Sequence, residues 1–223
     1  MKLPLLTTFV LSAALASAAS DAPERLKAAA EAFKAVMGIP DRSIPQELLA
    51  KAECVIIVPD LKKGAFIIGG QYGKGFASCR KENGVGWSAP GSVRIEGGSV
   101  GFQIGGTETD VFMLIMNKKG MDRLLTTKFT VGGEAAAAAG PVGRGTQAET
   151  DAAMTAEILT WSRARGLFAG ISLKGSTLRE DKDWNKDLYG KSITNKEIIT
   201  KGTAAPAAAA ELMSELNRFS SRK

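Results

Sequence analysis

The middle of this chain is a block of short apolar runs rich in β-branched residues, several of which end in glycine, and helical patterns stand on both sides of the block. Residues 54–58 and 111–116 are the clearest runs, and β-branched residues favour strands. Glycine inside a strand marks a bulge, a bend or a close backbone contact. Because the strands come as a block, the sequence predicts an α+β fold with a curved, barrel-like, largely antiparallel β-sheet flanked by N- and C-terminal helices.

Two patterns define the flanking helices and one defines a turn. Residues 23–37 place apolar side chains on one stripe with helical periodicity, and residues 206–219 do the same. Pro59 and Asp60 are expected to stop the first strand, and Lys62, Lys63 and Gly64 are expected to form the turn to the second.

The first residues have the pattern of a targeting segment. Lys2 is followed by a mostly apolar run over residues 3–15, and Ala16 and Ala18 are the small residues that signal peptidase requires. The run is too short for a membrane-spanning helix of about 20 residues. We therefore expect a signal peptide over residues 1–18, cleaved after Ala18, and a single domain over residues 19–223 that is periplasmic or secreted.

The chain contains no histidine, which limits its chemistry. Histidine-dependent nucleophilic catalysis and histidine-ligated zinc are excluded. The glycine clusters do not match a phosphate-binding loop, because Ile68 and Gly75 stand where the pattern needs Gly and Ser or Thr. Carboxylate chemistry is the one remaining route to an enzyme, and its candidate residues are Asp110, Glu134, Asp151 and Glu157. We expect a protein without catalytic residues, metal site or cofactor.

The positive charge of the chain is concentrated in its middle. The net charge is +6, and residues 61–128 contain ten basic and five acidic residues. A basic region favours an anionic partner. We expect an anionic phospholipid surface, and the export signal argues against nucleic acid. The alternative is that these basic residues are simply solvated. The candidate lipid-binding residues are Lys62, Lys63, Lys74, Arg80, Lys118 and Lys119.

The two cysteines, Cys54 and Cys79, are a possible disulfide. An oxidising compartment favours the pair. A simple hairpin that turns near Leu61, however, does not place them opposite each other, so two buried free thiols remain the alternative.

Four groups of residues together resemble the SYLF-domain family, a lipid-binding and actin-binding domain family. They are residues 58–66 with 69–75, residues 87–90 with 97–106, residues 139–144, and residues 162–170 with 188–190. The resemblance extends over about residues 28–219. It implies a binding module that attaches to phosphoinositide or other anionic phospholipid membranes, and the export signal indicates a bacterial-type member for which actin is an unlikely partner.

The resemblance also implies an alternative lipid-binding site on the N-terminal helix. Its residues are Arg25, Lys27, Phe33, Lys34 and Met37. Glu24 and Glu31 share the polar face of this helix, whereas a membrane-surface helix normally carries a basic one. A helix packed on the sheet is therefore the favoured interpretation. The alternative function for the whole chain is an envelope structural or protein-interaction module that binds another envelope protein.

Overall fold

The computed structural model describes residues 21–40, 43–65, 69–99, 107–142, 155–164 and 166–220. The predicted signal peptide, residues 1–18, lies outside these ranges, and so does Asp151.

Within these ranges, nine strands form one curled sheet. They are β1 (Cys54–Ala65), β2 (Gly69–Cys79), β3 (Gly91–Ser99), β4 (Thr107–Ile115), β5 (Lys128–Thr130), β6 (Ala137–Ala139), β7 (Ile158–Ala164), β8 (Leu167–Gly170) and β9 (Thr177–Glu180). The strand order is β5-β9-β3-β2-β1-β4-β7-β6, and β8 also pairs with β7. Every pair is antiparallel except β6 with β7. The predicted fold class, a curved antiparallel sheet with helices before and after it, is confirmed.

The α-helices of the described ranges are α1 (Ala22–Met37), α2 (Gln46–Lys51), α3 (Lys118–Leu124), α4 (Lys182–Tyr189), α5 (Asn195–Thr200) and α6 (Ala210–Ser220). The buried stripe of α1 packs with α6 on one face of the sheet, in a core that includes Phe33, Val55 and Phe112. Strand alternation sends Ile56 and Val58 to the other face, where a second core lies in the concavity. We call these the helix-covered face and the concave face.

The first strand does not stop at Pro59 and Asp60, so the predicted turn at residues 62–64 is wrong. β1 continues to Ala65 through a bulge, and the register with both neighbouring strands shifts there. Asp60 has a φ of 49°, in the left-handed region. Proline lacks a backbone donor and is tolerated at a bulge, which explains why a turn signal lies inside a strand.

Taken by itself, the pattern of residues 178–189 predicts one helix, and the structure departs from that prediction around Asp181. Strand β9 comes first, and it pairs with both β3 and β5. The buried Asp181 then accepts a hydrogen bond from the Trp184 backbone N–H at 3.1 Å and caps α4. The sheet contacts thus override the helical pattern before the cap.

Candidate functional site

The candidate lysines lie at two opposite ends of the sheet. Lys62 pairs with Glu108, and Cys54, eight residues earlier in β1, pairs with Ile115. Eight strand residues span roughly 25 Å. Lys118, which begins α3 shortly after Ile115, therefore lies far from Lys62. We call the end that carries Lys62 and Lys63 the lysine end, and the end that carries Cys54 the disulfide end. The sequence predicted one basic surface, and the structure separates its members.

Arg80 is not a surface residue. Its side chain is buried, with the residue 5% exposed. The guanidinium donates hydrogen bonds to the backbone carbonyls of Leu49 (3.1 Å), Ala52 (3.4 Å) and Ser220, and its centre lies 3.8 Å from that of the Trp87 ring. Arg80 thereby joins α2, β2 and the end of α6. Its predicted contact with a membrane surface would require the guanidinium to leave these buried partners, so the structure gives Arg80 a structural role.

Lys74 is engaged inside the domain as well. Its Nζ lies 2.8 Å from Asp181 Oδ2 and 4.4 Å from the centre of the Trp184 ring. Asp181 is buried, so the lysine compensates a carboxylate that has been removed from water. This partnership leaves Lys74 a structural role.

The lysine end presents two large apolar side chains to solvent. Among the described residues, three large apolar side chains are exposed: Tyr72 (46%), Val85 (47%) and Leu167 (75%). Tyr72 pairs directly with Lys62 across β1 and β2, so both side chains leave the same face of the sheet. Leu167 belongs to the β7–β8 hairpin, where it pairs with Ala164. Arg163, the residue before Ala164, pairs with Asp110 of β4, so the hairpin lies at the lysine end. Val85 lies between β2 and β3, at the disulfide end.

A polar chain of contacts fixes the strands at the lysine end. Arg25 of α1 lies 3.0 Å from Asp60 at the bulge. The backbone N–H of Asp60 donates to Asp110 Oδ1 at 3.2 Å, and Asp110 Oδ2 accepts from Arg163. The helix, the bulge, β4 and β7 are thus joined in one sequence of contacts.

The alternative site on α1 is committed to the core. Phe33 and Met37 are buried against the sheet and α6. The basic residues of the helix have acidic partners: Arg25 with Asp60, Lys27 with Glu31 (3.9 Å) and Lys34 with Glu215 (4.0 Å). The interpretation of α1 as a helix packed on the sheet agrees with this burial, and its apolar face is not available to a membrane while the domain is folded.

Cys54 and Cys79 are joined by a disulfide in the structure. They are direct cross-strand partners in β1 and β2, with Cα atoms 3.9 Å apart, and both are fully buried. The expectation that a hairpin would misalign them is wrong, because β1 runs on to Ala65 and the bulge shifts the register.

The disulfide end carries a pocket of about 520 Å³. Its walls come from the chain between β2 and β3, from α3 and from α5, with Ile199 at its apolar part. Charges of both signs line it: Glu53, Glu82 and Asp122 against Arg80, Lys81 and Lys118. Acidic and basic groups are thus balanced there, so the pocket is not an electropositive site.

The carboxylates considered for catalysis are separated and engaged. Asp110 is bound by Arg163, whereas Glu157 lies at the other end of β7, with Lys119 at 2.8 Å and Arg123 at 3.7 Å. Glu134 accepts a hydrogen bond from the Thr130 backbone at 2.9 Å. The structure does not bring Asp110 and Glu157 together as an acid–base pair.

Tyr72 and Leu167 are exposed residues that were not predicted from the sequence. The available signal was the position of Leu167 directly after a glycine in a basic segment, where a hairpin tip exposes an apolar side chain. For Tyr72 the sequence offered no signal. Its pairing with Lys62 can be identified only when the register of β1 with β2 is known.

Residues 96–219 match the family model Ysc84, described as "Las17-binding protein actin regulator". The chain is 39% identical over 178 residues to an SH3 domain-containing protein of Schizosaccharomyces pombe, which covers 78% of this chain and 41% of that protein. It is 33% identical over 184 residues to human SH3 domain-containing YSC84-like protein 1, over 82% of this chain and 53% of the relative. With Protein YSC84 of Saccharomyces cerevisiae the identity is 33% over 177 residues, or 78% and 37% of the two chains.

This chain therefore spans about half, or less, of the length of these relatives. Among the described residues, none of the helices has the length and apolar character needed to span a membrane.

Proposed function

The chain belongs to the Ysc84 (SYLF) family, and from this premise we propose that it is a non-catalytic module that binds anionic phospholipid surfaces through its lysine end. The observation that carries the proposal is the grouping of Lys62, Lys63 and the exposed Tyr72 at that end. Lysine attracts anionic head groups, and tyrosine favours the membrane interface because its ring is apolar and its hydroxyl is polar.

Lys62 suits this role because its ion pair within the domain is weak. Lys62 Nζ lies 3.8 Å from Glu108 Oε1, and both side chains are mostly exposed. An exposed pair of this kind contributes about 0–1 kcal/mol, so an anionic surface can compete with it. By contrast, Lys74 and Arg80 would each have to leave a buried partner.

The expected electrostatic contribution is modest and depends on salt. Each lysine near an anionic surface contributes about 1 kcal/mol, so Lys62 and Lys63 together correspond to about a thirtyfold difference in affinity at low ionic strength. The attraction falls as the Debye length shortens from about 10 Å at 0.1 M salt to about 3 Å at 1 M.

We propose that the module acts outside the cytoplasm, in a periplasm or as a secreted protein, after cleavage behind Ala18. The support is the sequence of residues 1–18. An extracytoplasmic location makes cytoplasmic actin an improbable partner, although the description of the family names actin. N-terminal sequencing of the protein from an envelope fraction tests this: a chain that begins at Ala19 supports export, and an intact Met1 contradicts it.

Co-sedimentation with vesicles tests lipid binding. The protein is the chain from Ala19, which retains every described element and lacks the apolar segment that would itself enter lipid. The vesicles are phosphatidylcholine alone or equal parts of phosphatidylcholine and phosphatidylglycerol. The wild type is expected to bind the anionic vesicles, and the variant K62Q/K63Q is expected to bind them about thirtyfold more weakly at low salt.

The matched control is K118Q/K196Q, which removes the same charge from exposed residues at the disulfide end. It is expected to bind within about twofold of the wild type, because these lysines face away from the docked surface. Equal losses in both variants would indicate attraction to net charge alone. Full binding by K62Q/K63Q would rule out the lysine end.

A protein-interaction module is the second candidate, and the pocket at the disulfide end favours it. Its volume of about 520 Å³ and its mixed charges suit a polypeptide segment that carries both signs. Under this alternative, vesicle binding is absent or insensitive to K62Q/K63Q, and K118Q impairs capture of an envelope protein.

A further inference from the structure

The β7–β8 hairpin ends in an exposed leucine. Ala164 pairs with Leu167, and Gly166 has a φ of +80°, which a tight hairpin turn requires. Leu167 is 75% exposed, the largest exposed fraction among the large apolar side chains of the described residues. A single exposed leucine is ordinary on a protein surface, so its meaning depends on how it is held and on what surrounds it.

The residues around Leu167 are firmly fixed. Its neighbour Phe168 packs against the helix-covered core, with its ring 6.2 Å from that of Phe112. Arg163, across the hairpin from Phe168, is bound to Asp110. At the other end of β8, Gly170 lies so close to Gly140 that a Cβ on Gly170 would come within 2.3 Å of the Gly140 carbonyl oxygen. The hairpin therefore holds Leu167 in solvent on a packed support.

Leu167 lies at the lysine end. Arg163 pairs with Asp110, two residues from Glu108, the partner of Lys62. Side chains alternate along strands, so Leu167 and Lys63 leave toward the concave face, and Lys62 and Tyr72 toward the helix-covered face. Apolar and basic side chains from both faces thus surround the end of the sheet, and an end-on approach to a flat surface would bring them to it together.

We propose that Leu167 inserts into the acyl-chain boundary of an anionic bilayer when the lysine end docks, so that the hairpin tip supplies the apolar part of the contact. This inference rests on the proposed function. The lysines provide long-range attraction that salt weakens, and the leucine provides burial of apolar surface that salt does not weaken. Burial of a leucine side chain corresponds to about a tenfold gain in affinity or more.

Depth-dependent fluorescence quenching provides the test. The variant L167W places a fluorophore at the tip, and vesicles of equal phosphatidylcholine and phosphatidylglycerol carry brominated acyl chains. The three native tryptophans, Trp87, Trp161 and Trp184, are buried and form a constant background. We expect L167W, minus the wild-type signal, to shift to the blue and to be quenched when vesicles are added. The matched control is V85W, an exposed position at the disulfide end, which is expected to show neither effect.

A second variant, L167S, measures the affinity. We expect about tenfold weaker binding than wild type at low salt, with the same ratio between the two proteins as salt is raised. Its urea unfolding midpoint should match the wild type, because the replaced side chain is exposed.

Failure of the insertion is distinguishable from failure of the proposed function. If L167W and L167S bind as the wild type does and the new tryptophan is not quenched, insertion is overturned, while a deficit in K62Q/K63Q still supports electrostatic docking. If V85W is quenched and L167W is not, the domain docks by the opposite end, and both the insertion and the lysine-end proposal are wrong.

Discussion

Arg163 donates two hydrogen bonds to one carboxylate oxygen of Asp110, from Nε at 2.9 Å and from Nη2 at 2.7 Å. The other oxygen of Asp110 accepts from the backbone N–H of Asp60 at 3.2 Å. A single carboxylate thus joins β7 to the bulge of β1, although the three residues are far apart in sequence. The position of the lysine end relative to the β7–β8 hairpin depends on this contact.

Replacing Asp110 by Ala is expected to destabilise the domain by about 2 kcal/mol. The substitution leaves a partly buried guanidinium and a bulge amide without their shared acceptor. Urea unfolding followed by circular dichroism measures the change. The control is Glu108→Ala, which removes only the exposed 3.8 Å pair with Lys62 and should cost less than about 0.5 kcal/mol. Equal losses of stability in the two variants would mean that the Arg163–Asp110 contact contributes no more than an exposed ion pair.

The Cys54–Cys79 disulfide is expected to leave no titratable thiol in denaturant without reductant. Its reduction should lower the free energy of unfolding by roughly 3–4 kcal/mol, because a link between residues separated by 25 positions restricts the unfolded chain. Thiol titration and urea unfolding with and without dithiothreitol measure both effects. The variant C54A/C79A should not respond to dithiothreitol. Two free thiols in the untreated, unfolded protein would contradict the link.

Two glycines in β2 should differ strongly in how far their replacement by alanine lowers stability. A Cβ on Gly75 would come within 2.0 Å of the Ile57 carbonyl oxygen and 2.7 Å of the Val58 Cα. These two atoms belong to β1 at the start of its bulge. Gly75→Ala is therefore expected to cost at least about 3 kcal/mol or to prevent folding. A Cβ on Gly70 meets no atom within 4 Å, so Gly70→Ala should change stability by no more than about 0.5 kcal/mol. Thermal unfolding of both variants decides; similar melting temperatures would refute the close approach at the bulge.

Glu197 should titrate far below an ordinary glutamate. Hydrogen bonds from Thr194, the backbone N–H first, and the nearby Lys201 ammonium favour the charged form and lower the pKa of its carboxyl from 4.5 to about 2. Thr194 and Glu197 form a capping box at the start of α5. Because the folded-state pKa of Glu197 lies below the unfolded one, this capping box stabilises α5 above pH 4.5 and loses its contribution as the pH falls toward 2. Carbon-13 NMR of the carboxyl gives the midpoint. Lys201→Gln should raise the pKa only partly, and a wild-type midpoint near 4.5 would contradict the capping contact.

The sequence by itself determined the fold class and several local features. The β-branched runs and the helical stripe over residues 23–37 are repeated patterns whose periods identify strands and a helix without reference to the rest of the chain. The N-cap of α3 is an equally local feature, since the Asn117 side chain accepts from the Gly120 N–H three residues later. The family motifs were readable for the same reason, because they are contiguous.

The tertiary structure alone decided which side chains share a surface. Lys62 and Lys118 are equivalent in composition arguments, yet the register of β1 with β4 sends them to opposite ends of the sheet. That register passes through a bulge at Pro59 and Asp60 that the sequence presented as a stop signal.

Arg80 and Leu167 show that burial, too, was decided by the tertiary structure, since each is the reverse of what its residue type suggests. A charged residue is buried where α2 with its C-cap and the end of α6 supply carbonyl acceptors, and an apolar residue is exposed at a hairpin tip. Burial depends on contacts between segments that are up to 140 positions apart, and such contacts have no local period in the sequence. The physical reason is that periodicity reports the conformation of one element, whereas a surface is formed only when elements pack and pair.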